Sequence, residues 1–194
     1  MADKLLEIKD LEVLYKSGKN PVHAVNGISL TLNKGETLGL VGETGAGKTT
    51  TALAILRLLP ERTGCINQGQ ILFEGRDLLT LSEEEMRTQI RGEKISMIFQ
   101  DPMTSLNPVA TVGDQIAEAI IYHSNGQKVS QEQIDQRVGE VLEMVGIPAA
   151  RKNEYPHQFS GGMKQRVVIA MALSCQPEGK CSPFPSSGGA DASC

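Results

Sequence analysis

The chain has 194 residues, of which 40% are hydrophobic and 22% are charged, an ordinary composition for one globular domain or one domain with a small insert. Its formal net charge of −4 gives no electrostatic argument for binding nucleic acid or anionic lipid. The opening residues MADKLLEIKD lack a secretory leader pattern, and no apolar run approaches the ~20 residues of a membrane span. We therefore expect a cytoplasmic protein.

The first hundred residues contain several strand patterns and one glycine-rich loop. Apolar and polar residues alternate over residues 6–15 and 28–32, which predicts an antiparallel β region. The segment ETLGLVGETGAGKTTTALAILRLLP predicts a strand, a glycine-rich loop and a helix that ends before Pro60. GQILFEGRDL predicts a further strand and turn. The S-x-x-E spacing that begins at Ser82 is a capping box and predicts a helix to about Arg91.

The remaining sequence is mainly helical. KISMIFQDP predicts a short buried strand that Pro102 stops, and a helix start follows at Thr111. SQEQIDQRVGEVLEMVG places its apolar residues on one face and predicts a helix with Gly146 as its C-cap. A last helix is predicted to begin at Ser160. From Pro177 onward, ten of eighteen residues are Pro, Gly or Ser.

These elements predict an α/β fold in three regions. Residues 1–100 hold a β subdomain and the core around the glycine-rich loop, and residues 101–176 hold a helical subdomain. Residues 177–194 are expected to form an aberrant, disordered tail, because they contain one large apolar side chain and prolines that oppose a central strand.

The segment GETGAGKT matches the phosphate-loop pattern G-x-x-x-x-G-K-[ST] between a predicted strand and a predicted helix. Glycines let backbone N–H groups converge on phosphate oxygens, and the following helix directs the positive end of its dipole at the same anion. Lys48 can neutralise phosphate charge, and the Thr49 hydroxyl can ligate Mg²⁺. This context favours a nucleotide site over a plain glycine-rich turn. Its predicted binding residues are Gly42, Glu43, Thr44, Gly45, Ala46, Gly47, Lys48, Thr49 and Thr50.

With these residues in view, the chain resembles the ATP-binding subunits of ABC transporters over about residues 1–176. KISMIFQDPMTSLNPV resembles the family's Q-loop, which implies that Gln100 ligates Mg²⁺ or the attacking water. FSGGMKQR resembles the family signature, with Phe159 and Met163 as variants. Tyr15 lies where the family carries an aromatic residue that stacks on adenine. The resemblance implies a P-loop NTPase fold of ABC type, with Lys48 and Gln100 as its catalytic residues here.

The resemblance also implies partners. In ABC proteins the signature loop contacts ATP held by the other subunit, so Ser160, Gly161 and Gly162 are expected to bind the partner's ATP in a head-to-tail dimer. Integral-membrane permease subunits would attach the protein to the inner face of the cell membrane, with no role for nucleic acid. TSLNPV and YPHQFSGGMKQR resemble subunits that drive import of dipeptides, oligopeptides or nickel. The expected function is therefore ATP hydrolysis that energises a peptide-type importer.

Simpler interpretations stand beside several of these residues. Ser160 with its glycines is also an ordinary helix N-cap, and Tyr15 could be a packing residue of a strand. Gln100 taken alone is a polar residue at a strand end. The histidines have no carboxylate or cysteine at useful spacing, and the four cysteines read as reduced cytosolic thiols rather than metal ligands.

The sequence departs from the family pattern after the signature helix. ABC proteins continue with an apolar strand that ends in Asp-Glu and, later, a switch histidine. Glu178 and Asp191 follow no apolar run, so the catalytic glutamate and the switch histidine are expected to be absent. We therefore expect an incomplete core sheet, marginal stability, and nucleotide binding with little or no hydrolysis. The composition change is typical of a frameshift or truncation, with a genuine divergent C-terminus as the alternative.

Two other functions remain open at this point. One is a soluble ABC-type ATPase acting in repair or translation, although such proteins usually carry two cassettes or nucleic-acid elements. The other is a non-hydrolysing nucleotide-binding fragment that serves as a dimerisation partner. The transported solute and the permease partners are not encoded in these residues.

Overall fold

The computed structural model describes residues 3–17, 20–99, 105–124, 129–175 and 179–181. The chain divides into two compact units, one within Met1–Met86 and one within Arg87–Phe184. The predicted boundary was residue 100, but the short strand that precedes it belongs to the second unit. There the Ser96 hydroxyl donates to the carbonyl of Ala172 at 3.0 Å, which ties that strand to the last helix.

The first unit is built on a four-stranded antiparallel sheet with strand order β2-β1-β3-β4. The strands are β1 (Lys4–Ser17), β2 (Asn20–Asn33), β3 (Gly64–Phe73) and β4 (Arg76–Asp77). This confirms the predicted N-terminal antiparallel region. The sheet buries an apolar row whose members include Leu6, Ile8, Leu11, Val13, Val25, Ile71 and Phe73.

A β-bulge in β1 explains why Ile8 and, after it, Leu11 and Val13 are all buried although their numbers change from even to odd. Ile8 pairs with Leu30, but the register shifts before Leu11. Asp10 lies in the shift with a φ of 45°, and its backbone N–H donates to the Ser29 hydroxyl at 2.9 Å. The extra residue of a bulge reverses which face each later side chain takes, so both halves of β1 face the core.

The predicted strand before the phosphate loop does not form. Residues 36–43 have no regular secondary structure, and three apolar side chains there are 43%, 48% and 98% exposed: Leu38, Leu40 and Val41. A strand exists only where a neighbour accepts and donates its backbone hydrogen bonds. Within the described ranges no strand pairs with this segment, so the strand prediction is wrong here.

Helix α1 (Lys48–Ile55) follows the glycine-rich loop and packs on β1 and β2 through Thr51, Ala54 and Ile55. The predicted capping box forms, since the Ser82 hydroxyl accepts from the backbone N–H of Glu85 and the Glu85 carboxylate accepts from that of Ser82. The helix it begins, α2 (Glu83–Glu85), continues as a π-helical turn over Met86–Ile90, which confirms its predicted extent.

Three helices dominate the second unit: α3 (Val112–Tyr122), α4 (Gln131–Met144) and α5 (Gly161–Ser174). Each begins where predicted, with a hydroxyl side chain at its N-cap. Gly146 follows α4 with a φ of 71°, the left-handed conformation that ends a helix. The helices share one apolar core, whose fully buried members include Val112, Ile116, Val141, Leu142, Val167 and Ala170.

The second unit also contains a two-stranded parallel sheet of β5 (Ile95–Met97) and β6 (Gly179–Cys181). β5 confirms the predicted short strand in KISMIFQDP, and Ile95 is buried. β6 lies inside the segment expected to be a disordered tail, which corrects that expectation for these three residues. The pairing uses main-chain groups and does not require apolar side chains. Among the described residues, no helix combines the length and apolar character needed to span a membrane.

A pair of substitutions on α4 tests the helical core. Leu142 is fully buried, whereas Met144 is 60% exposed on the same helix. We expect Leu142→Ala to lower the free energy of unfolding by about 2–5 kcal/mol through lost burial and a residual cavity. Met144→Ala should change it by less than about 0.5 kcal/mol. Urea unfolding followed by circular dichroism measures both, and equal effects would contradict the packing.

Candidate nucleotide-binding site

The phosphate loop has a left-handed backbone at two glycines. Gly45 has a φ of 88° and Gly47 a φ of 81°, a region that residues with a Cβ enter at a cost. The backbone N–H of Ala46 donates to the carbonyl of Glu43 at 3.1 Å and closes the turn. Gly47 is the N-cap of α1, so the free N–H groups of the first helical turn directly follow the loop.

Gly47 also makes the closest approach between the loop and the sheet. A Cβ built on it would lie closer than 3.0 Å to the backbone carbonyl oxygen of Ala24 on β2. A side chain is therefore excluded at Gly47 by space as well as by backbone angle. At Gly45 a Cβ would meet no atom within 4 Å, so only the backbone angle opposes a side chain there.

The Lys48 side chain folds back across the loop. Its Nζ donates to the carbonyl oxygens of Gly42 at 2.6 Å and Glu43 at 2.7 Å. These bonds hold the ammonium beside the backbone N–H groups that start α1. A positive charge next to the N-terminus of a helix is an arrangement that favours an anion.

The three threonines at the start of α1 have different surroundings. Thr51 is buried and its hydroxyl donates to the carbonyl of Gly47 at 2.9 Å, which stabilises the first turn. Thr50 is half-buried, and Thr49 is exposed at the phosphate end of the helix. A hydroxyl oxygen is a hard ligand that suits Mg²⁺, so Thr49 fits the metal role predicted for it. The described residues contain no cluster of three or more His, Cys, Asp or Glu that could hold a metal ion.

Tyr15 and the phosphate loop both contact β2, near the start of that strand. It pairs with Val22 on one side and Gly64 on the other, and a Cβ on Gly64 would lie 3.1 Å from its ring. Val22 is two residues from Ala24, about 7 Å along a strand, and Ala24 is the residue that Gly47 approaches. The structure thus brings Tyr15 and the phosphate loop to the same end of the sheet. Gln100, by contrast, lies outside the described residues.

The signature segment is an open helix N-terminus. Ser160 caps α5, with its hydroxyl accepting from the backbone N–H of Met163 at 3.4 Å. Gly161 and Gly162 are exposed, and a Cβ on either would meet nothing within 4 Å. Phe159, just before the loop, is buried in the helical core. The N–H groups at the start of α5 are therefore exposed, while the preceding Phe159 is held in the core. Exposed N–H groups at a helix N-terminus suit an anion.

Sequence reasoning missed Arg151 beside this segment. Its guanidinium makes a forked ion pair with Glu154, with a shortest N···O distance of 2.6 Å, and lies 4.4 Å from the ring centroid of Phe159. This hydrogen-bonded pairing lowers the pKa of Glu154 and raises that of Arg151. An i,i+3 charge pair next to the signature was the signal available in the sequence, but such pairs are common on surfaces.

The histidines and cysteines described next take no part in the phosphate-loop or signature contacts above. Burial lowers the pKa of His123, and His157 stacks on Tyr155 at 5.7 Å. Cys65 and Cys175 are free thiols, and burial raises the pKa of Cys175.

The loop with its left-handed glycines and its lysine, followed directly by a helix, has the sequence and backbone features of the P-loop class. The chain belongs to the ABC transporter family, whose model matches residues 25–179. It is 52% identical over 177 residues to the oligopeptide transport ATP-binding protein OppD of Bacillus subtilis, a match that covers 90% of this chain and 48% of the relative. It is 49% identical to the dipeptide transport ATP-binding protein DppD of the same organism, over 91% of this chain and 52% of DppD.

Solved structures show the same fold. The dimeric post-hydrolysis structure of the ATP-binding cassette MJ0796 bound to ADP and Pi has a TM-score of 0.79 at 28% identity, covering 92% of this chain and 73% of that one. CbiO1 from Clostridium perfringens has a TM-score of 0.76 at 26% identity, covering 96% and 67%. The predicted P-loop fold of ABC type is confirmed. The chain spans about half the length of the curated relatives it matches.

Two glycine substitutions separate space from backbone angle in the phosphate loop. We expect Gly45→Ala to cost about 1–2 kcal/mol of stability, because only the left-handed φ is unfavourable. Gly47→Ala should cost more and abolish nucleotide binding, because the methyl group would overlap the Ala24 carbonyl. Urea unfolding and titration with a fluorescent ATP analogue measure the two effects. Similar losses in both variants would contradict the close approach at Gly47.

Proposed function

We propose that this chain is part of an ATP-binding subunit that energises peptide import by an ABC transporter. The observation that carries the proposal is the family match over residues 25–179, which includes both the phosphate loop and the signature segment. Relatives named for oligopeptide and dipeptide transport support peptides as the solute class. The activity and partners of the whole subunit are inferred, since the chain spans about half of those relatives.

The phosphate loop would bind the β- and γ-phosphates of ATP. The backbone N–H groups around Gly47 and the positive end of α1 would face the phosphate oxygens. The ammonium of Lys48 would exchange its carbonyl partners in Gly42 and Glu43 for phosphate oxygens, which are stronger acceptors because they are charged. Tyr15 would stack on the adenine ring, since it lies at the same end of the sheet.

Thr49 and Gln100 would hold Mg²⁺. The ion, when bound, supplies positive charge that offsets the charge on the phosphate oxygens during transfer to water. Thr49 supports this role by its exposed position on the first turn of α1. Gln100 is assigned from the family resemblance and would also orient the attacking water.

Ser160, Gly161 and Gly162 would contact the ATP held by a second ATP-binding subunit. Their exposed N–H groups at the start of α5 support this role. Two ATP molecules would then join two subunits head to tail. Hydrolysis that releases them would need a catalytic glutamate, which is not expected within these 194 residues. Attached permease subunits in the membrane would follow this cycle, which places the protein at the inner face of the cell membrane.

Replacement of the loop lysine tests nucleotide binding. We expect Lys48→Ala to weaken binding of a fluorescent ATP analogue by about tenfold or more, because a charged hydrogen bond contributes about 1.5–3 kcal/mol. Lys9→Ala on β1 is the matched control, since Lys9 pairs with Glu7 on its own strand, and its affinity should equal that of the wild type. Equal affinity in Lys48→Ala and wild type would contradict the proposed site.

Co-purification tests the transport role. We expect the tagged chain, co-expressed with the integral-membrane permease subunits of a peptide importer, to be recovered with them from detergent extracts. The unrelated control is a P-loop protein without the signature segment, which should not be retained. Recovery of nucleic acid in place of the permease would favour a soluble ABC-type ATPase.

A further inference from the structure

Arg151 contacts the chain on both sides of the exposed signature loop. Before the loop, its Nη2 donates to the carbonyl of Gln158 at 3.3 Å, and its guanidinium lies over the Phe159 ring at 4.4 Å. After the loop, its Nη1 donates to the sulfur of Met163 at 3.4 Å. One side chain thus bridges the two ends of the segment Ser160–Gly162.

Glu154 holds the Arg151 fork in place. Arg151 Nε lies 3.0 Å from both carboxylate oxygens of Glu154, and Nη2 lies 2.6 Å from one of them. The backbone of Glu154 is fixed in turn, because its carbonyl accepts from the N–H of Val112 at 2.9 Å. Val112 is fully buried at the start of α3. Arg151 is therefore tied to the helical core rather than to the loop alone.

Ser160–Gly162 forms the N-cap and first two residues of α5, where the backbone N–H of Lys164 donates to the carbonyl of Ser160 at 2.9 Å. Gly161 and Gly162 have no side chains, and they lose more conformational freedom on ordering than any other residue type. The cap bond from Met163 to Ser160 is long at 3.4 Å. A helix N-terminus binds an anion well only if its N–H groups are already oriented, and the flanking contacts of Arg151 add to the order that the helix itself supplies.

We propose that Arg151 is a positioning residue that orients the signature loop for the nucleotide of the partner subunit. This inference rests on the proposed function of Ser160–Gly162. Arg151 does not serve as a phosphate ligand, because each of its three nitrogens donates within the protein and Glu154 offsets its charge. Lysine cannot replace it, since a lysine ammonium cannot stack on Phe159 while bridging both ends of the loop.

The experiment compares Arg151→Gln and Arg151→Lys with a control on the same turn, using the whole chain. Lys152→Gln is the matched control: Lys152 pairs with Asp135 at 2.6 Å and is 27% exposed, against 29% for Arg151. Three quantities are measured: affinity for a fluorescent ATP analogue, self-association in a non-hydrolysable ATP analogue by sedimentation velocity, and amide hydrogen exchange over residues 159–163. The urea unfolding midpoint of each variant is recorded beside them.

We expect Arg151→Gln and Arg151→Lys to weaken nucleotide-dependent self-association by about tenfold. Both should speed exchange at the Met163 amide and leave affinity of the chain's own phosphate loop unchanged. Lys152→Gln should match the wild type in all three. A purely structural role for Arg151 would instead lower the unfolding midpoint while keeping self-association of the folded fraction normal, and that result overturns the proposal.

The experiment also covers failure of the wild type to self-associate and failure of Arg151→Gln to fold. If the wild type does not self-associate with nucleotide, the proposed role of the signature loop fails, and hydrogen exchange alone decides whether Arg151 orders the loop. If Arg151→Gln does not fold, Glu154→Gln takes its place, because it loosens the same fork while keeping both side-chain volumes. Unchanged exchange at Met163 in folded Glu154→Gln overturns the positioning role.

Discussion

The backbone of Gly47 approaches the carbonyl oxygen of Ala24 so closely that no side chain fits between them. This contact fixes the start of α1 against β2, and with it the position of the phosphate loop on the sheet. Lys48 follows directly and reaches back to the carbonyls of the loop. Tyr15 of β1 pairs with Val22 of β2, the strand that carries Ala24, so it lies at the same end of the sheet as the phosphate loop. The position of the phosphate loop in the first unit thus depends on one glycine.

The signature segment also lies at a helix N-terminus, but different contacts hold it in place. The phosphate loop is shaped by its own backbone, with left-handed angles at Gly45 and Gly47 and a lysine that bonds to the loop itself. The signature segment has exposed glycines in the first turn of α5, with Phe159 buried just before it and Arg151 in contact with the chain on both sides. The two segments are therefore stabilised differently. Substitutions within the phosphate loop should affect the first, and substitutions at the neighbouring Phe159 and Arg151 should affect the second.

Local patterns predicted most of the secondary structure. The helix starts at Ser82, Thr111, Ser130 and Ser160 were readable because a capping hydroxyl acts within three residues of itself. The segment before the phosphate loop had an equally good strand pattern and formed no strand. Leu40 is half exposed because a strand needs a paired neighbour, which an apolar run cannot supply by itself.

The sequence alone determined the phosphate loop, the signature and the family, because glycines, a lysine and a capping serine at fixed spacing carry their chemistry locally. Only the tertiary structure decided the bulge at Asp10, the pairing of Gly179–Cys181 and the bridge from Arg151 to Met163. Each of these joins groups that are separated along the chain or displaces a strand's register. Their geometry depends on which backbones and side chains meet in space, and residue type at one position does not specify that.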